Sequence, residues 1–188
     1  MIKRFAANQA WARLCPFIGI IATIGLFVFS RWDQPVFWAL CNIPLYLFHQ
    51  TEEHYWPGGF KKFMNEQVFN LPLGEERITD IKIFWINIVL VWIAFLIFGI
   101  AACFNIGFGL FIIIFSIMNC STHIYQGIKL MKWNPGLVMS LVQFSLSIYA
   151  AYFISTNGLS DVATWWICSC VFSLVIHMIV FKIVMSKK

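Results

Sequence analysis

Charge is scarce in this chain. Lys, Arg, Asp and Glu supply 11% of its 188 residues, whereas 61% are hydrophobic. That balance excludes a soluble globular domain, which at this size could not hide so much apolar surface. The class is a helical integral membrane protein, one domain over residues 1–188. A basic stripe is lacking too. The formal net charge is +5, but the basic residues are distributed by loop, and nothing points to nucleic acid as a partner. No pair of cysteines has the CxxC spacing of a zinc site. Cys15, Cys41, Cys103, Cys120, Cys168 and Cys170 lie within or beside apolar segments and read as reduced packing residues, not as a disulfide framework. On a helix Cys168 and Cys170 point about 200° apart, which argues against a shared ligand role. No repeat or low-complexity tract is present. The basic start Met1-Ile2-Lys3-Arg4 is not followed by a small-residue cleavage site, because Phe27-Val28-Phe29-Ser30-Arg31-Trp32 is bulky; a retained first span is expected.

What is present is a series of apolar runs. A helix needs about 20 apolar residues to cross the hydrocarbon core. Six segments qualify: 13–30, 35–54, 82–104, 107–131, 137–156 and 163–185. Turn residues separate them, among them Arg31-Trp32-Asp33-Gln34-Pro35, Asn105-Ile106-Gly107, Asn134-Pro135-Gly136 and Asn157-Gly158. Pro16 sits near the start of the first span, where proline is tolerated. Pro44 falls inside the second, where it predicts a kink and a freed backbone carbonyl one turn earlier. Of the 13 basic residues only Arg31 falls on one side of this arrangement. Lys3, Arg4, Arg13, Lys61, Lys62, Arg77, Lys82, Lys129, Lys132, Lys182, Lys187 and Lys188 fall on the other. The positive-inside rule then places both termini in the cytoplasm, in agreement with an even number of spans. Between spans two and three, Phe60, Phe63, Met64 and Val68 form a helical stripe, which predicts a short helix in the cytoplasmic interface. It would be either a lid or a simple connector. Glu75-Glu76-Arg77 and Asp80 read as a solvated face and a helix start.

Against this apolar background, Phe48-His49-Gln50-Thr51-Glu52-Glu53-His54 stands out. Ionisable groups are costly in or beside a bilayer. Residues i, i+3 and i+4 share a helical face, so His49, Glu52 and Glu53 point the same way. His123 lies about 9 Å before Lys129 at helical rise, and His177 about 7–8 Å before Lys182. His49, His123 and His177 therefore share one depth, near the cytoplasmic side. Asn119 is one turn from His123 and would orient it, fix a substrate carbonyl or act as a ligand. Ser173 stands one turn before His177. His54 is about 140° from His49 on a helix and nearer water, and ranks below the other histidines. Tyr46 and Tyr125 are weaker candidates as proton donors. The alternative for each is structural: histidines bonding across helices, and Glu52 with Glu53 as a juxtamembrane acidic cap.

His49-Gln50-Thr51-Glu52-Glu53, the later histidines in apolar spans and the Asn134-Pro135-Gly136 turn together resemble the HXXEE-domain membrane proteins. The resemblance covers most of the chain and implies a small polytopic protein with an enzymatic site at the motif. It supplies no reaction.

Three chemistries suit these residues. In the first, His49, Glu52, Glu53, His123 and His177 supply ligands for a divalent metal, zinc or mononuclear iron, with one carboxylate left as general base. Two carboxylates are thin for a dinuclear centre. In the second, Glu52 or Glu53 activates water without a metal while Asn119 and His123 stabilise an oxyanion, as in glutamate-type intramembrane proteases acting on a membrane peptide. The stretch His54-Tyr55-Trp56-Pro57, with no arginine in the expected place, departs from that pattern. The third is a proton or cation relay without catalysis. It is opposed by outer span halves that are dry apart from Asn42, Asn87 and Gln143. The expected function is metal-dependent hydrolysis or oxidation of a lipid or lipid-soluble substrate, entering sideways from the membrane. The expected location is a bacterial inner membrane. No feature of the sequence sets an oligomeric state.

Overall fold

The computed structural model describes residues 2–186. It is helical throughout, with no strand among the described residues. A short helix α1 (Ile2–Ala6) and a 3₁₀ stretch (Ala7–Leu14) lead into α2 (Cys15–Phe29). Then come α3 (Pro35–Leu40), α4 (Asn42–His54) and α5 (Phe60–Phe63), which a π-turn over Met64–Val68 continues. Helix α6 (Asp80–Ala102) is π-helical over Trp85–Trp92. Three long helices follow: α7 (Phe108–Leu130), α8 (Leu137–Asn157) and α9 (Val162–Met185). Lys187 and Lys188, two of the basic residues counted at the C-terminal end, lie outside the described residues.

Five helical stretches are long and apolar enough to cross a membrane: Ile2–Phe29, Asp80–Ala102, Phe108–Leu130, Leu137–Asn157 and Val162–Met185. The expectation of six such helices is corrected to five. Segment 35–54 is not one helix but two, of 6 and 13 residues, meeting at Cys41. Pro44 explains the break. It has no N–H to offer the Leu40 carbonyl, and the next bond, Leu45 N–H to the Cys41 carbonyl, is stretched to 3.4 Å. The expected helix between this segment and the next is present as α5.

The packing is inside-out relative to a soluble protein. Phe17, Ile21, Phe27, Leu96, Ile100, Ile167, Leu174 and Met178 are exposed on the outer helix faces. Asn42, Ser116, Gln143 and Ser147 are fully buried. The Asn42 Oδ1 accepts from Gln143 Nε2 at 3.2 Å and Ser147 Oγ at 2.7 Å, and Gln143 Nε2 also donates to Ser116 Oγ at 3.1 Å. Polar side chains that bond across helices are the glue of a bundle whose outer surface meets lipid. Small residues serve the same end: a Cβ on Gly109 of α7 would stand 2.5 Å from the Ala39 Cβ of α3. Helix α4 thereby sits in the middle, packed on α2, α7 and α8, with α9 against the far side of α7. The polar C-terminal half of α4 is thus walled in.

Candidate metal centre

The centre is Glu53. Its position one turn after His49 on α4 sets the Glu53 Oε2 3.3 Å from His49 Nε2. Helix α7 brings His123 alongside, with Nε2 3.7 Å from Glu53 Oε1 and its ring 4.8 Å from that of His49. One ligand atom from each of His49, Glu53 and His123 lies within 4.8 Å of the others, and all three residues are buried. Two imidazole nitrogens and a carboxylate at this separation form a group that could hold a metal ion.

The surroundings hold the rings in place. Asn134 Nδ2 donates to the His123 backbone carbonyl at 3.0 Å, so its Oδ1 is the atom 3.2 Å from His123 Nδ1 and must accept there. The Nδ1 of His123 therefore carries a proton, and in the neutral ring its Nε2 is an acceptor turned to Glu53. A proton or a metal cation between the two would complete that contact. Metal-binding histidines are oriented by the same device, an N–H donated outward to a carbonyl-type oxygen. The His49 Nδ1 contacts Ser140 Oγ at 3.4 Å, while Asn119 Nδ2 stands 3.3 Å from His49 Nε2. The Asn134-Pro135-Gly136 turn contributes a second time through Gly136. Its φ of +89° suits glycine, and a Cβ there would lie 2.9 Å from His49 Cε1 and 3.2 Å from His123 Cε1.

A sequence-family profile described as "Protein of unknown function with HXXEE motif" matches residues 40–151, more than half of the chain. The chain belongs to the HXXEE family. No curated protein and no solved structure matches it. The matched span holds His49, Glu52, Glu53, His123 and the whole 134–136 turn. The family motif thus has a physical reading in this chain: its histidine and its second glutamate form the centre.

The first glutamate of the HXXEE motif does something else. Glu52 Oε1 accepts from the Val138 N–H at 3.1 Å and Oε2 from the Met139 N–H at 2.6 Å. These are unsatisfied donors of the first turn of α8, and a carboxylate there also complements the helix dipole. Glu52, expected among the ligands, is committed to this helix end and lies outside the His49–Glu53–His123 group. His177 lies outside it as well. Its Nδ1 donates to the Ser173 carbonyl of its own helix at 2.8 Å. Asn119, for which orienting His123 was one of three expected roles, faces His49. Tyr125 is exposed on the outer face of α7. Tyr46 is buried, stacks on His49 and donates to Asn87 Oδ1 at 3.3 Å.

His54 stands closer to Glu53 than helical spacing indicates. Its Nε2 stands 3.2 Å from Glu53 Oε2 and 3.3 Å from Asn87 Nδ2, and its Nδ1 meets Gln9 Oε1. The side chain of Glu53 reaches between two rings that a helical wheel places on different faces. Gln9 comes from the N-terminal 3₁₀ stretch, where Asn8 and Gln9 adopt left-handed φ of 49° and 54°. Non-glycine residues hold that conformation only when their surroundings impose it. Here Trp11 packs on the His54 ring at 5.1 Å. Asn87 lies in the π-helical stretch of α6, a distortion frequent at functional sites. Gln50 Nε2 donates to Glu53 Oε2 at 3.0 Å and completes the ring of contacts.

Beside the centre lies a cavity of about 420 Å³ that Glu53, Asn119, His123 and His177 line in part. The rest is mostly apolar: Phe60, Met64 and Val68 of the α5 segment close one side, and Phe115, Val180 and Val184 lie among the other walls. The Phe60 ring packs 5.1 Å from His54.

Proposed function

We propose that this HXXEE protein is a membrane-embedded metal-dependent enzyme that hydrolyses or oxidises a lipid-soluble substrate. The observation that carries the reading is the buried group of His49, Glu53 and His123, whose ligand atoms lie within 4.8 Å of one another. Two imidazoles and one carboxylate suit zinc or ferrous iron and leave coordination positions open. Bound there, zinc would supply Lewis acidity, and iron would supply redox chemistry. The protein's own part is to orient both rings through Ser140 and Asn134 and to keep a third imidazole, His54, beside Glu53. The apolar cavity would receive a substrate that partitions into the membrane.

The same reading places both termini in the cytoplasm, following the basic residues. The broken pair α3–α4 would cross as a sixth, discontinuous span, with its charged end and α5 at the cytoplasmic face of a bacterial inner membrane. Irregular backbone at membrane depth is tolerated where protein buries it. Two other readings use the same residues. A metal-free glutamate-type protease draws support from the Glu53–His54 contact at 3.2 Å, an acid–base pair without a metal. A proton relay has less support. The buried polar thread of Ser140, Gln143, Asn42 and Ser147 gives way to Ala150, Ala151 and Ile154, all buried and apolar.

Metal content decides among them. Protein purified in detergent without added metal or a histidine tag, and quantified by mass spectrometry, should hold near-stoichiometric zinc, iron or manganese. His49→Ala, Glu53→Gln and His123→Ala should lose it while the fold survives. Native protein that holds no metal, and retains none after it is added back, would overturn the proposal in favour of the protease reading.

A further inference from the structure

A polar pocket lies on the outer side of α7, next to the cavity that Glu53 lines. Ser121, Thr122, Tyr125, Gln126 and Lys129 border it from α7, and Gln67 from the α5 segment. None of them belongs to the candidate metal centre. Lys129 stands in the last turn of α7, where a spanning helix meets water. Its Nζ lies 5.8 Å from the centre of the Tyr125 ring and pairs with no carboxylate among the described residues. The Ser121 and Thr122 hydroxyls already donate, to the Ile117 and Asn119 carbonyls at 2.7 and 2.8 Å. The side-chain amides of Gln67 and Gln126 bond to no protein group among the described residues, so their N–H donors are free. An unpaired cation beside free amide donors is a site for an anion.

Val68, Thr122 and Gln126 line both this pocket and the cavity, so the two spaces abut across these side chains. Behind them the cavity walls turn apolar, with Met64, Phe115 and Val180 among them. Donors at the water edge and an apolar cavity behind match a molecule with an anionic head and a hydrocarbon chain. We infer that the protein binds a single-chain fatty acid, with its carboxylate at Lys129 in the outer pocket and its chain in the cavity beside Glu53. One cation suits the single charge of a carboxylate, whereas a phosphate monoester carries about −1.5 to −2 and would leave charge unpaired. A cavity of about 420 Å³ is of the size that takes a small organic ligand, and it suits one chain. His123 precedes Lys129 by six residues, about 9 Å along the helix. The chain, not the carboxylate, therefore lies at the level of the centre. The inference deepens the proposed function, since calling the fatty acid a substrate rests on that reading, but the binding itself does not need a metal.

The test compares dodecanoate with methyl dodecanoate, which keeps the chain and lacks the charge. Binding to the full chain in nanodiscs, stripped of metal with chelator and held at mildly alkaline pH, is measured by titration calorimetry and corrected for protein-free discs. The acid should bind about three- to tenfold more tightly than the ester, the worth of one half-exposed charged contact. In Lys129→Gln the ester should bind as before and the preference should vanish. Lys132→Gln removes a charge outside the pocket and should keep the preference. Equal binding of acid and ester by the native protein overturns the inference without any variant. A preference that survives in Lys129→Gln puts the carboxylate elsewhere, and one lost equally in Lys132→Gln is attraction to a basic surface; either result overturns it. Dodecanoate with a mid-chain diazirine should cross-link on illumination to Met64, Phe115 or Val180. Cross-links confined to outer-face residues such as Leu96 and Leu174 would overturn the placing of the chain. Metal content is a separate readout: preference for the acid in a protein that never holds metal removes the metalloenzyme reading and leaves this one standing.

Discussion

The two adjacent glutamates of the HXXEE motif should fail in different ways when neutralised. Glu52 accepts two backbone N–H bonds at the start of α8, at 3.1 and 2.6 Å, and belongs to no metal-capable group. Hydrogen bonds to a charged group are worth about 1.5–3 kcal/mol each, and a charge at a helix N-terminus adds about 0.3–1 kcal/mol. In Glu52→Gln one oxygen remains as acceptor, while the amide NH₂ is turned toward a backbone donor. The expected loss is one charged bond and the dipole contribution, roughly 2–4 kcal/mol. At about 2–4 °C per kcal/mol for a chain of this length, the midpoint should fall by roughly 5–15 °C. Glu53→Gln takes away the carboxylate that three imidazole Nε2 atoms face, and removing one partner of a buried charged contact costs about 3–5 kcal/mol where the other partner is charged and less where it is neutral. Intrinsic fluorescence of the 9 tryptophans reports unfolding in detergent for both variants, and metal content is read on the same samples. Glu52→Gln should be less stable yet keep its metal, and Glu53→Gln should lose its metal. A Glu52→Gln protein of unchanged midpoint that has lost metal as fully as Glu53→Gln would refute the division of labour and make Glu52 a ligand.

The partner of His123 should matter at a distance from any ligand atom. Asn134→Leu removes the acceptor that fixes Nδ1–H, and metal affinity measured by chelator competition should fall about 10–100-fold; unchanged affinity would show that the ring needs no such partner. The α5 segment is latched by Lys61, whose Nζ lies 3.0 Å from Glu76 Oε1 and 3.2 Å from Asp80 Oδ2. Burial pulls the Lys61 pKa down, but the two carboxylates outweigh it and hold it above its ordinary 10.5. A raised pKa means that the latch is fully made below the unfolded value and lost as pH climbs through the folded one. Hydrogen exchange over Phe60–Val68 should therefore be constant, after correction for intrinsic rates, up to about pH 10 and lose protection above it. In Lys61→Met protection should be low at every pH; protection equal to the native protein would show that Phe60 and Met64 hold the segment unaided.

Much of this was readable from residue spacing alone, for reasons that are local. Hydropathy places five of the helices because lipid-facing helices must be apolar over their whole length, and turn residues such as Asn157-Gly158 end them abruptly. The i, i+4 rule places His49 and Glu53 together because both are on one helix. The second span misled because its hydropathy is that of a spanning helix while Pro44 removes a backbone donor inside it. The kink itself was legible; that it would divide the segment at Cys41 depends on how α3 packs against α7 and α8. The contacts of Glu52 were not legible for a different reason. Its partners are backbone N–H groups of α8, which have no signature in side-chain identity. The contacts of His54 with Gln9 and Asn87 join residues 45 and 33 positions apart, and no helical wheel relates them.

One device recurs at all four histidines of the chain. Each Nδ1 is met by a protein oxygen: Ser140 Oγ for His49, Gln9 Oε1 for His54, Asn134 Oδ1 for His123 and the Ser173 carbonyl for His177. Three of the four Nε2 atoms face the Glu53 carboxylate, and the fourth is unpartnered beside the same cavity. One nitrogen orients each ring, and in three of the four the other is turned to a single carboxylate, with an amide Nδ2 also 3.3 Å away at His49 (Asn119) and at His54 (Asn87). Three imidazoles converging on one buried carboxylate make sense if a cation completes the group.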